Sequence, residues 1–204
     1  MVKRVFDFLC SALGVVLLSP CFLIIAIWIK VDSAGPIFFV QKRVGRNGKP
    51  FGVYKFRTMI VDAESKGLKI TVGKDPRITS SGHFLRRTKL DELAQLFNVL
   101  GGSMSLVGPR PEVQEYIDAY PEDIKKIVLS VKPGITDYAS IAFKDENKLL
   151  EKSIDPSKTY IEEILPVKQK YYLKYVEDQS FFLDIKIIFK TIFVILKSLT
   201  QSNS

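Results

Sequence analysis

The sequence predicts an α+β protein attached to a membrane on one side. It would be a monotopic membrane protein, with a re-entrant N-terminal helix over residues 1–32 and a cytosolic β-hairpin and helix body over residues 33–204. That body includes an interfacial amphipathic helix at 181–199. Three observations lead there: a long uncharged N-terminal run with basic residues at both ends, two strand-like runs around an Asn-Gly turn, and an apolar C-terminal segment whose lysines share one side.

The N-terminal element comes first. Residues 8–29 carry no charge, and Asp7 is the only charge between Arg4 and Lys30. At about 1.5 Å of rise per residue, such a helix is long enough for the roughly 30 Å hydrocarbon core. A signal peptide would have a shorter apolar core of about 7–15 residues and a small-residue cleavage site. Here the run ends at Trp28-Ile29-Lys30, which suits an interfacial anchor. Lys3 and Arg4 precede the run, and Lys30, Lys42, Arg43, Arg46 and Lys49 follow it, so both ends favour the cytoplasmic side. Ser19-Pro20 sits at its middle. Proline removes a backbone donor and breaks or kinks a helix, and the Ser19 hydroxyl is placed to serve a freed carbonyl. Ser19 and Pro20 therefore mark the re-entrant break; a proline-kinked transmembrane helix accounts for the same residues equally well.

The body follows. Residues 37–44 and 51–57 read as strands, joined at Asn47-Gly48, where both residues accept positive φ. Residues 61–82 read as loop. Thr88 followed by Asp91 resembles a capping box, which predicts a helix start there, with Leu90, Leu93, Phe97 and Leu100 as its apolar stripe and Asp91, Gln95 and Asn98 as its polar one. Residues 112–130 read as a helix, 135–143 as a strand, 144–155 as an exposed charged stretch, and 160–178 as mostly helical with Pro166 as a break or first-turn residue. Tyr171, Tyr172 and Tyr175 share a face, for core packing or an interfacial belt. In residues 181–199 the three lysines, Lys186, Lys190 and Lys197, fall within about 40° of one another and leave a broad apolar surface. A core helix with one wet face is the alternative.

Composition limits the chemistry. The chain has 204 residues, two cysteines and one histidine, which excludes a disulfide scaffold and leaves no zinc-ligand spacing. The net charge is +8, and residues 1–60 carry nine Lys/Arg against two acids. Basic charge concentrated near one end argues against nucleic acid as a partner. No Walker-type or dinucleotide-type glycine loop is present. Adjacent acids at Asp91-Glu92, and Arg110 held between Pro109 and Pro111, instead suit phosphoryl chemistry, with Lys55, Arg86 and Arg87 as further cations. Taken alone, Asp91 reads more readily as an acid that complements a helix start.

Several motifs in one order then match a known family. They are Lys3-Arg4-Val5-Phe6-Asp7, Ser19-Pro20, Gly35-Pro36-Ile37-Phe38-Phe39, Gln41-Lys42-Arg43-Val44-Gly45 and Tyr54-Lys55-Phe56-Arg57-Thr58-Met59, then Leu90-Asp91-Glu92-Leu93, Met104-Ser105-Leu106-Val107-Gly108-Pro109-Arg110-Pro111 and Pro133-Gly134-Ile135-Thr136. Across about residues 1–140 the chain resembles the bacterial sugar transferases, the monotopic polyprenyl-phosphate phosphoglycosyl transferases. The resemblance implies an enzyme on the cytoplasmic face of the bacterial inner membrane that moves a sugar-1-phosphate from a UDP-sugar to undecaprenyl phosphate and releases UMP. It implies Asp91 as nucleophile, Glu92 as the Mg²⁺ residue, and Lys55, Arg86 and Arg110 as phosphate-binding residues. It also implies membrane lipid as a partner, and a homodimer as the assembly to test. The chain departs from the family pattern at Ala94, where proline is common, at Lys132, where arginine is, and at Asp137-Tyr138-Ala139-Ser140, where glycine, an apolar residue and Ala-Gln are usual. The last departure points to residues 137–145 as the place where the sugar is chosen. Two other readings stay open on the sequence: a glycosyltransferase that moves sugar alone and releases UDP, and a membrane-anchored scaffold in which Asp91 only caps a helix.

Overall fold

The computed structural model describes residues 2–63, 75–143 and 146–201. The first element, α1 (Val2–Asp32), runs through Pro20 as one helix. Pro20 cannot donate to the carbonyl four residues back, Val16 O, and that oxygen instead accepts a hydrogen bond from Ser19 Oγ at 2.8 Å. The compensation expected of Ser19 is therefore present, and the chain stays helical where a break was expected. Among the described residues, α1 is the one helix long and apolar enough to cross a membrane.

α1 is fastened to the body along its length. Near its start, Lys3 pairs with Asp184 and donates to Val107 O at 3.1 Å, while Arg4 donates to Leu100 O at 2.9 Å. Asp7 is buried and accepts from Ser105 Oγ at 2.7 Å and from Leu106 N at 3.2 Å. The lone acid in the apolar run thus pairs with backbone and hydroxyl donors. In the second half, Phe22 meets Phe56 and Phe97 with ring centroids 5.5 and 5.9 Å apart, and Ile25 and Ile29 join the core with Leu85 and Ala94. The C-terminal end is held by Arg57, which donates to Ala34 O and Ser33 O at 2.6 and 2.7 Å. The opposite face presents Leu9, Leu13, Val16, Leu17 and Ile24, each more than half exposed.

The hairpin forms as expected. β1 (Phe38–Val44) and β2 (Pro50–Phe56) pair antiparallel with Phe39 opposite Lys55 and Arg43 opposite Phe51, and Asn47 and Gly48 turn the chain with φ of 58° and 74°. Next come α2 (Ser80–Thr88), a 3₁₀ turn (Leu90–Ala94) and α3 (Gln95–Leu100). α2 begins inside the stretch read as loop, with Thr79 Oγ1 accepting from Gly82 N at 3.1 Å. Residues 64–74 of that stretch lie outside the described residues.

β3 (Ser105–Val107) and β4 (Gly134–Thr136) form a short parallel pair. The strand expected over 135–143 ends at Thr136, because Asp137 accepts from Ser140 N at 2.8 Å and starts α6 (Tyr138–Ala142). The helix expected over 112–130 is two, α4 (Gln114–Asp118) and α5 (Glu122–Val128), with Pro121 between them. The stretch read as exposed contains α7 (Glu146–Glu151), whose Leu150 is buried; residues 144 and 145 are not described. After α8 (Pro156–Thr159) comes a π-helical turn (Tyr160–Ile164), then α9 (Leu165–Asp178) with Pro166 in its first turn. Tyr172 and Tyr175 are core residues.

The last helix, α10 (Phe181–Gln201), buries Asp184 and Ile187 and exposes Phe182, Phe189 and Phe193 beside Lys186 and Lys190. Its start meets that of α1 where the Phe6 and Phe181 rings stack edge-on at 5.0 Å. The buried Asp7 gives a direct test of how α1 is held. Asp7→Ala leaves the Leu106 amide without its acceptor and is expected to lower unfolding free energy by about 2–3 kcal/mol in detergent, while Asp7→Asn, which keeps an acceptor, recovers most of the loss.

Candidate active site

Strand alternation brings the hairpin's polar residues to one face. Phe39, Gln41, Arg43 and Lys55 all line one cavity of about 620 Å³. A lysine at an inward strand position is costly unless charge or ligand meets it, and Lys55 meets Glu92, its Nζ 3.0 Å from Oε1.

Asp91 and Glu92 sit on the 3₁₀ turn after α2. The capping box expected at Thr88 does not form. Thr88 is instead the last residue of α2 and donates to Phe84 O and Leu85 O at 2.9 and 3.1 Å. Lys89 then takes a left-handed conformation (φ 59°), which turns the chain and presents the two acids to the cavity. No side chain caps the 3₁₀ turn. Asp91 is 6% exposed, and its Oδ1 is buried with no hydrogen-bond partner. Helix capping does not explain this aspartate.

Arg110 reaches the site from the connection after β3. Its Nη1 donates to Glu92 Oε2 at 3.2 Å and its Nη2 to Oε1, a two-point fork on one carboxylate. The connection is held by Gly108 N donating to Thr136 O at 3.1 Å and Gly134 N donating to Pro109 O at 3.0 Å. A Cβ on Gly134 would lie 2.0 Å from Gly108 N, so the two motifs can meet only with glycine there.

The charges are set by burial and neighbours. Burial raises the Asp91 carboxyl above its ordinary range, and the adjacent Glu92 charge adds to the effect against Lys55, Lys89 and Arg86. Burial alone would raise Glu92 too, but Arg110 and Lys55 outweigh it and hold that carboxyl well below the usual range. Burial lowers the Lys55 ammonium despite Glu92, while Glu92 first of all holds the Arg110 guanidinium well above its usual value. Burial also lowers Arg86, opposed by Asp91; this guanidinium lines the cavity and donates through Nε to Thr58 Oγ1 at 2.9 Å.

Of the residues singled out in sequence, Lys55, Arg86, Asp91, Glu92 and Arg110 converge. Arg87 turns away and lies over the Phe84 ring. Asn98 is a fastener, donating to Gly52 O at 2.6 Å and accepting from Tyr54 N at 2.8 Å. Ser19 and Pro20 are not among the cavity residues. Sequence reasoning missed Lys89, for which no periodic signal exists. It also missed the cavity role of Arg43, which strand parity with Gln41 would have exposed. Among the described residues no group of three His, Cys, Asp or Glu encloses a metal. The two adjacent carboxylates fit Mg²⁺ in the mode where phosphate oxygens and water complete the shell.

An unpartnered buried carboxylate has a measurable sign. The folded state holds the Asp91 proton more tightly than the unfolded chain does, so ionising Asp91 at neutral pH costs stability. Asp91→Asn is expected to raise the thermal midpoint by about 2–4 °C at pH 7, with the gain vanishing below about pH 4, where both states are protonated. Loss of a helix cap would instead lower it.

A family model described as bacterial sugar transferase matches residues 1–198. The chain is 40% identical over 196 residues to the UDP-glucose:undecaprenyl-phosphate glucose-1-phosphate transferase of Escherichia coli (strain K12), covering 95% of this chain and 40% of that protein. It is 36% identical over 197 residues to the UDP-N-acetylgalactosamine-undecaprenyl-phosphate N-acetylgalactosaminephosphotransferase of Aeromonas hydrophila, covering 96% and 44%. To a Bacillus subtilis (strain 168) protein named uncharacterized sugar transferase EpsL it is 37% identical over 205 residues, covering 97% and 89%. The chain thus spans less than half the length of the first two relatives and most of the third. A match running from α1 through the cavity to α10 leaves one assignment for the polypeptide as a whole: it belongs to the bacterial sugar transferase family.

Proposed function

We propose that this chain is a phosphoglycosyl transferase that moves a sugar-1-phosphate from a UDP-sugar to undecaprenyl phosphate and releases UMP, the first membrane step in building a bacterial glycoconjugate. The observation that carries the reading is the Asp91 carboxylate, buried and unpartnered at Oδ1 beside a Glu92 that two cations neutralise. A carboxylate without hydrogen bonds is a better nucleophile than a solvated one.

In the proposed reaction, Asp91 attacks the phosphorus that bears the sugar. The bond to the bridging oxygen breaks, UMP leaves with the electron pair, and a phosphosugar-aspartyl ester remains. An oxygen of the lipid phosphate then attacks the same phosphorus and returns Asp91 as carboxylate, so no proton need be moved. Lys55, Arg86 and Arg110 spread the charge that develops on the phosphoryl oxygens. Before substrate arrives, Glu92 stands in for phosphate on Lys55 and Arg110. A diphosphate that draws those cations off would leave Glu92 to hold Mg²⁺, which when bound neutralises phosphate charge.

The membrane arrangement belongs to the same reading. A helix crossing the bilayer would carry one end about 30 Å from the body. α1 is tied to the body at Lys3, Arg4 and Asp7 and again at Phe22, Ile29 and Asp32, which supports a monotopic protein on the cytoplasmic face of the inner membrane. The exposed faces of α1 and α10 then enter one leaflet, and a re-entrant α1 would bend at Ser19-Pro20 without leaving the helical conformation.

Wild-type protein incubated with its UDP-sugar alone is expected to gain the mass of a phosphosugar and release UMP, whereas Asp91→Asn gains nothing. Normal turnover without the adduct in rapid-quench mass spectrometry would remove the covalent step, and release of UDP would favour transfer of sugar alone. For topology, single cysteines at Val2→Cys and Lys42→Cys, in a chain carrying Cys10→Ser and Cys21→Ser, should both label from the cytoplasmic side; labelling from opposite sides would make α1 a span.

A further inference from the structure

The reaction chemistry uses only one end of the cavity. At its other end a chain of buried and half-buried polar groups takes no part in that chemistry. Arg43 Nη1 lies 3.5 Å from Glu112 Oε2, and Glu112 Oε1 accepts from Tyr160 OH at 2.7 Å. That hydroxyl in turn accepts from Lys168 Nζ at 3.2 Å, and Lys168 pairs with Glu146. Lys168 is 4% exposed, and its ammonium lies 4.8 Å from the Tyr160 ring centroid and 5.9 Å from that of Phe143. All of these side chains line the same cavity as Asp91.

Charge divides the cavity. Around Asp91 and Glu92 the cavity gathers Lys55, Arg86, Lys89 and Arg110, a set of cations that suits a diphosphate. At the other end Arg43 and Lys168 are balanced by Glu112 and Glu146, so among the described residues these two ion pairs carry no excess charge to favour a further anion. The balanced end offers carboxylate acceptors, cationic donors and aromatic surface, which suits a neutral ligand rich in hydroxyl groups. Uracil presents two carbonyl acceptors and one N–H on its pairing edge, so it offers a carboxylate-lined wall fewer donors than the hydroxyl groups of a hexose do. Ser140 also lines this end, donating through Oγ to Asp137 Oδ2 at 3.1 Å, and it belongs to the stretch where the chain departs from the family pattern.

We propose that Glu112, Glu146, Tyr160 and Lys168 form the subsite that binds and selects the hexose ring of the UDP-sugar. The inference rests on the transfer reading above and adds to it the residues that set sugar specificity. The π-helical turn at Tyr160–Ile164 brings Tyr160 and Lys168 to the same cavity wall from a single run of chain.

The test uses the full chain in detergent or nanodiscs and measures UMP release from UDP-glucose, UDP-galactose and their N-acetylamino counterparts, together with inhibition by UMP. Glu146→Gln and Tyr160→Phe are each expected to change the kcat/KM ratio between 4-epimers by about tenfold or more. Inhibition by UMP, which lacks the sugar, should stay within about twofold of wild type and so report an intact phosphate end. Weakened UMP inhibition with an unchanged epimer ratio would overturn the proposal in favour of a nucleoside subsite. An unchanged ratio with unchanged UMP inhibition would overturn it in favour of a purely structural network. If wild type releases no UMP from any of the four sugars, the transfer reading itself fails, a result separable from both.

Discussion

Two neighbouring carboxylates cannot both be buried as anions unless cations come with them, and the architecture follows from that constraint. Isolated charge in a low-dielectric site costs several kcal/mol. Glu92 meets the requirement with Lys55 from β2 and Arg110 from the connection after β3. Three separate segments are therefore pulled to one point. Asp91 is left with burial and a like-charged neighbour, and its carboxyl is raised where that of Glu92 is lowered. Adjacent residues of the same chemistry thus acquire different properties from their surroundings, which is what the proposed division of labour between nucleophile and charge-holding residue requires.

The apolar side of the molecule obeys a related rule. α1 has too few polar groups to sit in water and too many fixed contacts to leave the body. Lys3, Arg4 and Asp7 satisfy backbone carbonyls, backbone amide and hydroxyl groups that would otherwise be buried without partners. The face turned from the body is leucine, isoleucine and valine, and the phenylalanines of α10 join it across the Phe6–Phe181 contact. An apolar surface of this extent on a monomer marks an interaction site, and the flanking lysines suit anionic headgroups.

Much of this was legible in residue pattern. The Asn-Gly turn, the uncharged helix, Ser19 serving the carbonyl freed by Pro20, and the cations around Asp91-Glu92 all follow from local chemistry. What failed was boundary and context. Thr88 reads as a cap because Asp91 stands three residues later, yet the left-handed Lys89 between them ends one helix and starts another. The strand expected over 135–143 stops at Thr136 because the Asp137 side chain starts a helix, a bond that hydrophobic alternation does not register. The Arg43–Glu112–Tyr160–Lys168–Glu146 chain was invisible because its members come from four distant segments and no one of them stands out alone. Lys168 in particular reads as one of many helix lysines until the fold surrounds it with Tyr160, Phe143 and Glu146.

The two halves of the molecule are joined through very little chain. α3 follows the 3₁₀ turn that carries Asp91 and Glu92 without an intervening loop, and it is the element most closely packed on α1. Leu96 sits against Gly14 so closely that a methyl group there would lie 3.3 Å from it, Phe97 meets Phe22, and Leu100 O receives Arg4. Within nine residues the chain passes from Asp91 to the contact that anchors the N-terminus of α1. The height of Asp91 relative to the apolar face is therefore fixed by rigid helix-to-helix contacts rather than by a flexible tether. In the proposed reaction the acceptor phosphate is confined to a leaflet surface, and such a fixed height would do part of the work of bringing the two reactants together, since one of the three coordinates of the encounter is already set.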